Sequence, residues 1–214
     1  MSSEFNTALD AWQRGDQKTA IKIWSQLAEQ GDVRSQFNLG VLYDSGEGVE
    51  QDKARAAEYL KAAAEQGFPD AAFNLALMYD QGEGVEQNPN EAARWYFVAA
   101  EKGNPQAQYN LGLKFDTGEG LPQDFEQASR WYYEAAENGE PHAAANLARC
   151  FAMGEGVERS DMEAFKWYYI AAELGVANAS RYRERVAKEL KPDERLKAGE
   201  LAVSWLQAKR LRRD

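Results

Sequence analysis

The sequence has few residues that could crosslink the chain, bind a metal or cross a membrane. It contains one cysteine, Cys150, and one histidine, His142, among 214 residues. This excludes an intramolecular disulfide framework and disfavours an ordinary zinc site. No apolar run approaches the roughly 18 residues of a membrane helix. The N-terminal MSSEFNTALDAWQRGDQ also lacks the basic and apolar regions of a secretory signal. We therefore expect no metal, no cofactor, no membrane association, and a reducing, cytoplasmic location.

Basic residues are also in deficit. The chain has 25 Lys and Arg against 35 Asp and Glu, a net charge of −10. The acidic excess lies in residues 1–174, whereas residues 175–214 carry more basic than acidic side chains. Because an acidic body repels phosphate backbones, nucleic acid is not an expected partner. The basic end is interpreted as a solvated capping segment whose tail, KRLRRD, is frayed.

What the sequence does contain is an internal repeat. Glycines recur every 36 residues, and NLG or NLA, GEG and an aromatic–Ala–Ala segment recur between them. A period of this length is typical of an array of stacked helical units. It predicts an N-terminal capping half-repeat or short repeat at 1–30, four repeats over 31–174, and a C-terminal capping helix pair with a basic tail at 175–214. The four predicted repeats are 31–66, 67–102, 103–138 and 139–174.

Each repeat is predicted to form two helices. In the second repeat, apolar and alanine residues from Ala71 to Met78 follow helical spacing, and Gly82 and Gly84 end the first helix near Tyr79–Asp80. Asn88–Pro89 opens the second helix and Gly103 stops it. The predicted buried stripe of that helix is Ala92, Trp95, Ala99 and Ala100. Since nothing alternates with a period of two, no strand is predicted.

These motifs resemble those of a known family. NLG, GEGV and W-Y-x-x-A-A-E at a 36-residue period are similar to the Sel-1-like repeats, relatives of the tetratricopeptide repeats. Local departures are Leu121–Pro122 in the third repeat and ANLARCF in the fourth. The resemblance implies an all-α, right-handed α/α superhelical solenoid whose concave side is lined largely by the first helix of each pair. It also implies a non-enzymatic adaptor or scaffold that binds other proteins.

An enzyme is not expected. The GEG loops follow helices rather than strands, so they are interpreted as turns and not as phosphate-binding loops. His142 and Cys150 are eight residues apart on one predicted helix, about 12 Å along its axis, which is too far for a nucleophile–base pair. Cys150 aligns with Leu42 and Met78, which predicts a core position. Some members of the family are associated with β-lactam binding or hydrolysis, but the sequence has no S-x-x-K motif. A hydrolase is therefore a disfavoured alternative.

Three tryptophans, Trp95, Trp131 and Trp167, recur on the second helices, each followed by a tyrosine. Large rings dominate packing between helices, so the default interpretation is a core ladder. A ligand-stacking site is the alternative.

If the first helices dock as they do in tetratricopeptide repeats, the residues on their inner faces are the predicted partner-binding residues. The candidates are Arg34, Phe37, Val41, Asp44, Asp70, Phe73, Leu77, Asp80, Gln81, Gln106, Tyr109, Leu113, Asp116, His142 and Arg149. In the fourth repeat, Ala145 and Ala152 take the positions that hold aromatic and aspartate residues elsewhere. The aspartates leave two interpretations open: a groove for a segment bearing Lys or Arg, or polar residues next to a glycine turn.

The predicted partner is another protein or a peptide, and we consider a partner whose binding segment is basic. A second hypothesis is a structural protein that self-associates through its C-terminal cap, using exposed Val203, Trp205 and Leu206. The expected oligomeric state is a monomer or a weak homodimer.

Overall fold

The structure, a computed structural model, describes the backbone of residues 2–210 and the side chains of residues 3–209. The described residues form twelve α-helices and no strand. The helices are α1 (Ser2–Gln13), α2 (Gln17–Glu29), α3 (Val33–Ser45), α4 (Lys53–Glu65), α5 (Pro69–Gln81), α6 (Pro89–Glu101), α7 (Pro105–Thr117), α8 (Phe125–Glu137), α9 (Pro141–Met153), α10 (Asp161–Glu173), α11 (Ala179–Val186) and α12 (Pro192–Arg210). Among the described residues, no helix combines the length and apolarity needed to span a bilayer. Residues 211–214 of the predicted basic tail lie outside the described residues.

The helix ends follow from capping residues that recur with the repeat. The second helices begin after Asp52, Asn88, Asp124 and Ser160, whose side chains accept hydrogen bonds from backbone N–H groups of the first turn. These bonds satisfy donors that the first turn of a helix leaves unpaired. The first helices α3, α5 and α9 close on glycines with left-handed backbone. The predicted helix pair of the second repeat is confirmed as α5 and α6.

The second glycine of the GEG loop has a further role, which is to let two repeats approach closely. A Cβ atom on Gly84 would lie 2.2 Å from the carbonyl oxygen of Lys53, at the start of α4. A Cβ atom on Gly156 would lie 1.9 Å from the carbonyl oxygen of Phe125, at the start of α8. No side chain fits in such a space. The interpretation of these loops as structural turns therefore has a steric basis as well as a conformational one.

The chain forms two compact units, of which the first spans residues 1–104. In this unit each helix from α1 to α6 packs on the next. At its N-terminal end, Trp24 and Leu27 of α2 are buried in a cluster with Phe5 and with Leu39 of α3. On α6, the predicted stripe of alanines around Trp95 is buried.

The second unit spans residues 105–214. Its helices α7 to α10 pack in sequence, and α10 also contacts both α11 and α12. Trp131 and Trp167 are buried. The core interpretation is therefore confirmed for all three repeat tryptophans.

The expectation that Trp205 is an exposed residue of α12 is wrong. Its ring meets that of Trp167 edge to face, with centroids 5.7 Å apart, and its indole N–H donates to Glu137 Oε1 at 2.5 Å. Leu206 is half-buried against the same cluster, and only Val203 is exposed. The amphipathic face of α12 is thus used inside this unit. The division into an N-terminal cap, four repeats and a C-terminal cap stays a prediction.

The close contact at Gly156 gives a stability test with a matched control. Gly156 and Gly175 both have positive φ, 71° and 86°, but the added Cβ meets another atom only at Gly156. We expect Gly175→Ala to cost about 1–2 kcal/mol for its left-handed backbone. Gly156→Ala should cost about 1–3 kcal/mol more, because the repeats must separate. Urea unfolding of both variants measures the difference, and equal losses would contradict the steric role.

Candidate functional site

The first helices have one buried side and one accessible side. Leu39 and Leu75 in the first unit, and Leu111 and Leu147 in the second, are fully buried. By contrast, none of the fifteen predicted partner-binding residues is buried. We call these fifteen residues the first-helix face, and each unit carries its own part of it.

In the first unit, the first-helix face combines aromatic edges with one exposed aliphatic residue. The ring of Phe37 packs on Phe68 with centroids 4.9 Å apart, and the Arg34 guanidinium lies 4.0 Å from the ring centroid of Phe5. Phe73 lies beside Tyr96 at 6.1 Å. The aromatic side chains are thus half-buried, and Val41 is 38% exposed. Leu77 is half-buried and Gln81 is exposed.

The carboxylates of this part differ in their partners. Asp70 is exposed and accepts a hydrogen bond from Asn104 Nδ2 at 3.0 Å. Asp80 is half-buried. Asp44 is also half-buried, and its buried Oδ1 has no hydrogen-bond partner among the described residues. The nearby ammonium of Lys53 pairs instead with Glu83 at 2.5 Å. A buried, unsatisfied carboxylate oxygen is costly, so Asp44 is an unusual residue on this face.

In the second unit, the equivalent carboxylate has two side-chain partners. Asp116 Oδ2 accepts a hydrogen bond from the Tyr132 hydroxyl at 3.0 Å and forms an ion pair with Arg149, which also pairs with Glu155. Burial, together with the adjacent carboxylate, raises the pKa of Tyr132 far above its ordinary value, so this hydroxyl remains a donor. The predicted aspartates are therefore chemically unequal.

The rest of the second unit's part is mainly polar and aromatic. Tyr109 lies between the rings of Tyr132 and His142, at centroid distances of 6.1 and 6.2 Å. His142 Nδ1 lies 3.2 Å from a carboxylate oxygen of Glu140, and burial raises the pKa of Tyr109. Gln106 is exposed and Leu113 is half-buried.

The single cysteine is not placed as a reactive thiol. Cys150 is buried, and burial raises the pKa of its thiol to about 11. Among the described residues, no group of three or more His, Cys, Asp and Glu is placed to hold a metal ion. The core position predicted for Cys150 is confirmed.

Sequence reasoning missed one feature of the second unit, a cavity of about 510 Å³ bounded by α9, α10 and α11. Arg159, Tyr168, Tyr182 and Arg185 line it. The signal was present in the 36-residue register, which continues into α11 although the NLG and GEG motifs do not.

This set of features defines an all-α repeat protein whose first helices have an accessible side in each unit. The Sel1 repeat family model matches residues 12–32, 33–68, 69–104, 105–140 and 141–176. The chain therefore belongs to the Sel1 repeat family, and its fold is the all-helical solenoid of that family. Members of this family are generally scaffolds for protein–protein interaction and are typically non-catalytic.

Solved structures support the same assignment. A Sel1 repeat protein from Oxalobacter formigenes is similar over 94% of this chain and 84% of its own, with 29% identity and a TM-score of 0.81. The protein c5321, a protective antigen of uropathogenic Escherichia coli with an SLR fold, matches 95% of this chain at 27% identity and a TM-score of 0.60. This chain covers 52% of that antigen. Helicobacter pylori cysteine rich protein B shares the fold over 62% of this chain and 95% of its own, at 23% identity and a TM-score of 0.50. A comparison with curated protein sequences finds no significant match.

The state of Cys150 can be tested by its reactivity. Raising the thiol pKa from 9.0 to about 11 lowers the thiolate fraction at pH 8 about 100-fold, and burial blocks access further. We expect native protein to react with Ellman's reagent at least about 100-fold more slowly than urea-unfolded protein, with the native rate rising as pH approaches 11. Similar rates for the two states at pH 8 would contradict the buried, neutral thiol.

Proposed function

We propose that this protein is a non-enzymatic adaptor that binds a basic or amphipathic segment of another protein on its first-helix face. This is the surface that the family resemblance places on the concave side. The observation that carries the proposal is the half-buried Asp44, one helical turn from the exposed side chain of Val41, whose carboxylate forms no ion pair with a described residue. A Lys or Arg side chain would supply the missing positive charge, and an adjacent apolar residue would cover Val41.

Comparison of the repeats explains why Asp44 differs from Asp116. Asp116 is bound by Tyr132 and Arg149. At the two equivalent positions around Asp44, the first repeat has Leu60 and the second repeat has Leu77. Leucine can neither donate a hydrogen bond nor carry charge. The side chains at those two positions therefore do not neutralise the negative charge of Asp44.

A hydrolase has no supporting observation, because Cys150 is buried with a raised thiol pKa. Self-association through α12 loses its main argument, since Trp205 is bonded to Glu137. A monomer or weak homodimer stays the prediction for oligomeric state. The cytoplasmic location rests on the single cysteine together with the other sequence features given above, and it also stays a prediction.

The proposal is tested with selected peptides and charge-neutralised protein. Twelve-residue peptides are selected from a random display library on the wild-type protein, and their affinities are measured by fluorescence polarisation. We expect enrichment of Lys or Arg next to apolar residues. Asp44→Asn with Asp80→Asn should weaken binding by about tenfold or more, since two charge pairs are lost, and the difference should shrink at high salt.

The control variant is Glu58→Gln with Glu65→Gln, which removes the same charge from exposed positions of α4. It should bind like the wild type, and thermal melting should show that both variants fold. Equal peptide affinity of the Asp44–Asp80 variant and the wild type would overturn the proposal, as would selection of acidic peptides that the variant binds unchanged.

A further inference from the structure

The second unit contains an incomplete copy of the Asp116 site. In that site, Asp116 on α7 receives the Tyr132 hydroxyl from α8 and the Arg149 guanidinium from α9. Moving each position on by 36 residues gives Ala152 on α9, Tyr168 on α10 and Arg185 on α11. Both donors are therefore present in the next copy, and only the carboxylate between them is missing.

The structure keeps this copy in register. Ala107, Ala143 and Ala179, which are 36 residues apart on α7, α9 and α11, are all buried. The helix α11 packs on α10 and so follows it in the same order as α9 follows α8. It therefore takes the place of a fifth first helix, although family motifs are absent from it.

Ala152, Tyr168 and Arg185 line the same cavity of about 510 Å³. Burial raises the pKa of Tyr168, so its hydroxyl stays protonated, while the positive charges of Arg149 and, less strongly, Arg185 oppose that shift in part. Tyr168 and Arg185 thus face one cavity, in whose lining Ala152 offers only a methyl group.

Two of the three arginines that line the cavity are already paired. Arg149 is held by Asp116 and Glu155, and Arg159 pairs with Asp161 at 3.2 Å. Arg185 is exposed and makes no ion pair with a described carboxylate.

One acidic residue of the cavity, Glu189, has no ion pair among the described residues either, although it lies four residues from Arg185. It is exposed and beyond the end of α11. Of the arginines that line the cavity, Arg185 is therefore the one that can pair with a ligand.

The apolar lining indicates what accompanies the carboxylate. Met153 is 68% exposed, although it lines the cavity together with Val186. Tyr168 and Tyr182 stack with centroids 5.5 Å apart and form an aromatic wall. A thioether and aromatic rings make adaptable contacts with an apolar side chain. Charge complementarity and this lining together specify an acidic residue with an apolar neighbour.

We propose that this cavity binds an aspartate or glutamate side chain of a partner polypeptide, flanked by an apolar residue, between Tyr168 and Arg185. The partner's carboxylate takes the place that the Asp116 carboxylate has in the preceding copy. This site uses none of the aspartates of the proposed basic-segment surface, so either proposal can fail without the other.

The first experiment tests the geometry without any ligand. Ala152→Asp restores the carboxylate in the chain itself, whereas Ala152→Asn is a control of similar size without charge. We expect Ala152→Asp to unfold at higher urea concentration than Ala152→Asn, and we expect this difference to disappear when both also carry Arg185→Met. An unchanged difference in the Arg185→Met background would overturn the placement of Arg185 beside the cavity.

The second experiment tests binding with defined probes. The probes are fluorescein-labelled eight-residue peptides, acetylated and amidated, with Asp or Glu beside Leu, Met or Phe, and matched peptides with Asn or Gln. At least one acidic peptide should bind at least about tenfold more tightly than its amide match. Both Arg185→Met and Ala152→Asp should remove that preference, whereas Arg181→Met, on the same helix but outside the cavity, should retain it.

The outcomes separate the possible occupants. Equal binding of acidic and amide peptides to the wild type would overturn the proposal, as would a preference that survives Arg185→Met. Free glutarate is the small-molecule comparison. If it competes as strongly as the best peptide, the site recognises a free carboxylate and the polypeptide occupant is wrong. Loss of the basic-peptide binding described above, without any change here, would count only against the first proposal.

Discussion

Close approach of helices is the constraint on which the rest of the structure depends. Alanine and glycine occupy the contact side of the helices, and the large rings of residues such as Trp95 and Tyr132 fill the spaces that these small residues leave. Gly84 and Gly156 extend the same constraint to successive repeats, since the backbone of the preceding repeat lies where a side chain would be. Dense packing of this kind leaves little freedom at the repeated positions.

Because the repeated positions are committed to packing, the accessible side of the first helices is free to vary. The repeats then act as comparisons for one another. The same aspartate position is unsatisfied at Asp44, engaged at Asp116 and replaced at Ala152. Asp44 and Asp116 differ in the pair of residues that the following helices bring to them, whereas at Ala152 the Tyr and Arg pair is kept and the carboxylate is missing. A carboxylate on this face is therefore defined by its neighbours in the next repeat as much as by its own identity.

Much of the fold could be predicted from the sequence because the helix boundaries that are ambiguous in one repeat can be compared with those of the other repeats. Four copies of the same motifs fix the helix pairs, and the buried stripe around Trp95 follows from helical spacing. The exposure of Trp205 was predicted wrongly, because α12 has no repeated copy with which to compare it. Its indole N–H finds Glu137, 68 residues earlier in the chain. No periodic pattern reports a contact of that kind.

For the candidate site, too, the sequence predicts some properties and leaves others open. The positions of the first-helix face follow from helical geometry and the register, and all of the predicted residues are at least partly accessible. The sequence does not predict which of their charges are paired, since pairing depends on distances between side chains of different helices.

The sequence by itself therefore determined the family, the helix pairs and the accessible positions, because these depend on local spacing and on repetition. Only the tertiary structure decided which carboxylates are neutralised, where Trp205 lies and that Tyr168 and Arg185 share a cavity. Hydrogen bonds and ion pairs act over a few ångströms, and only packing brings side chains of different helices to such distances.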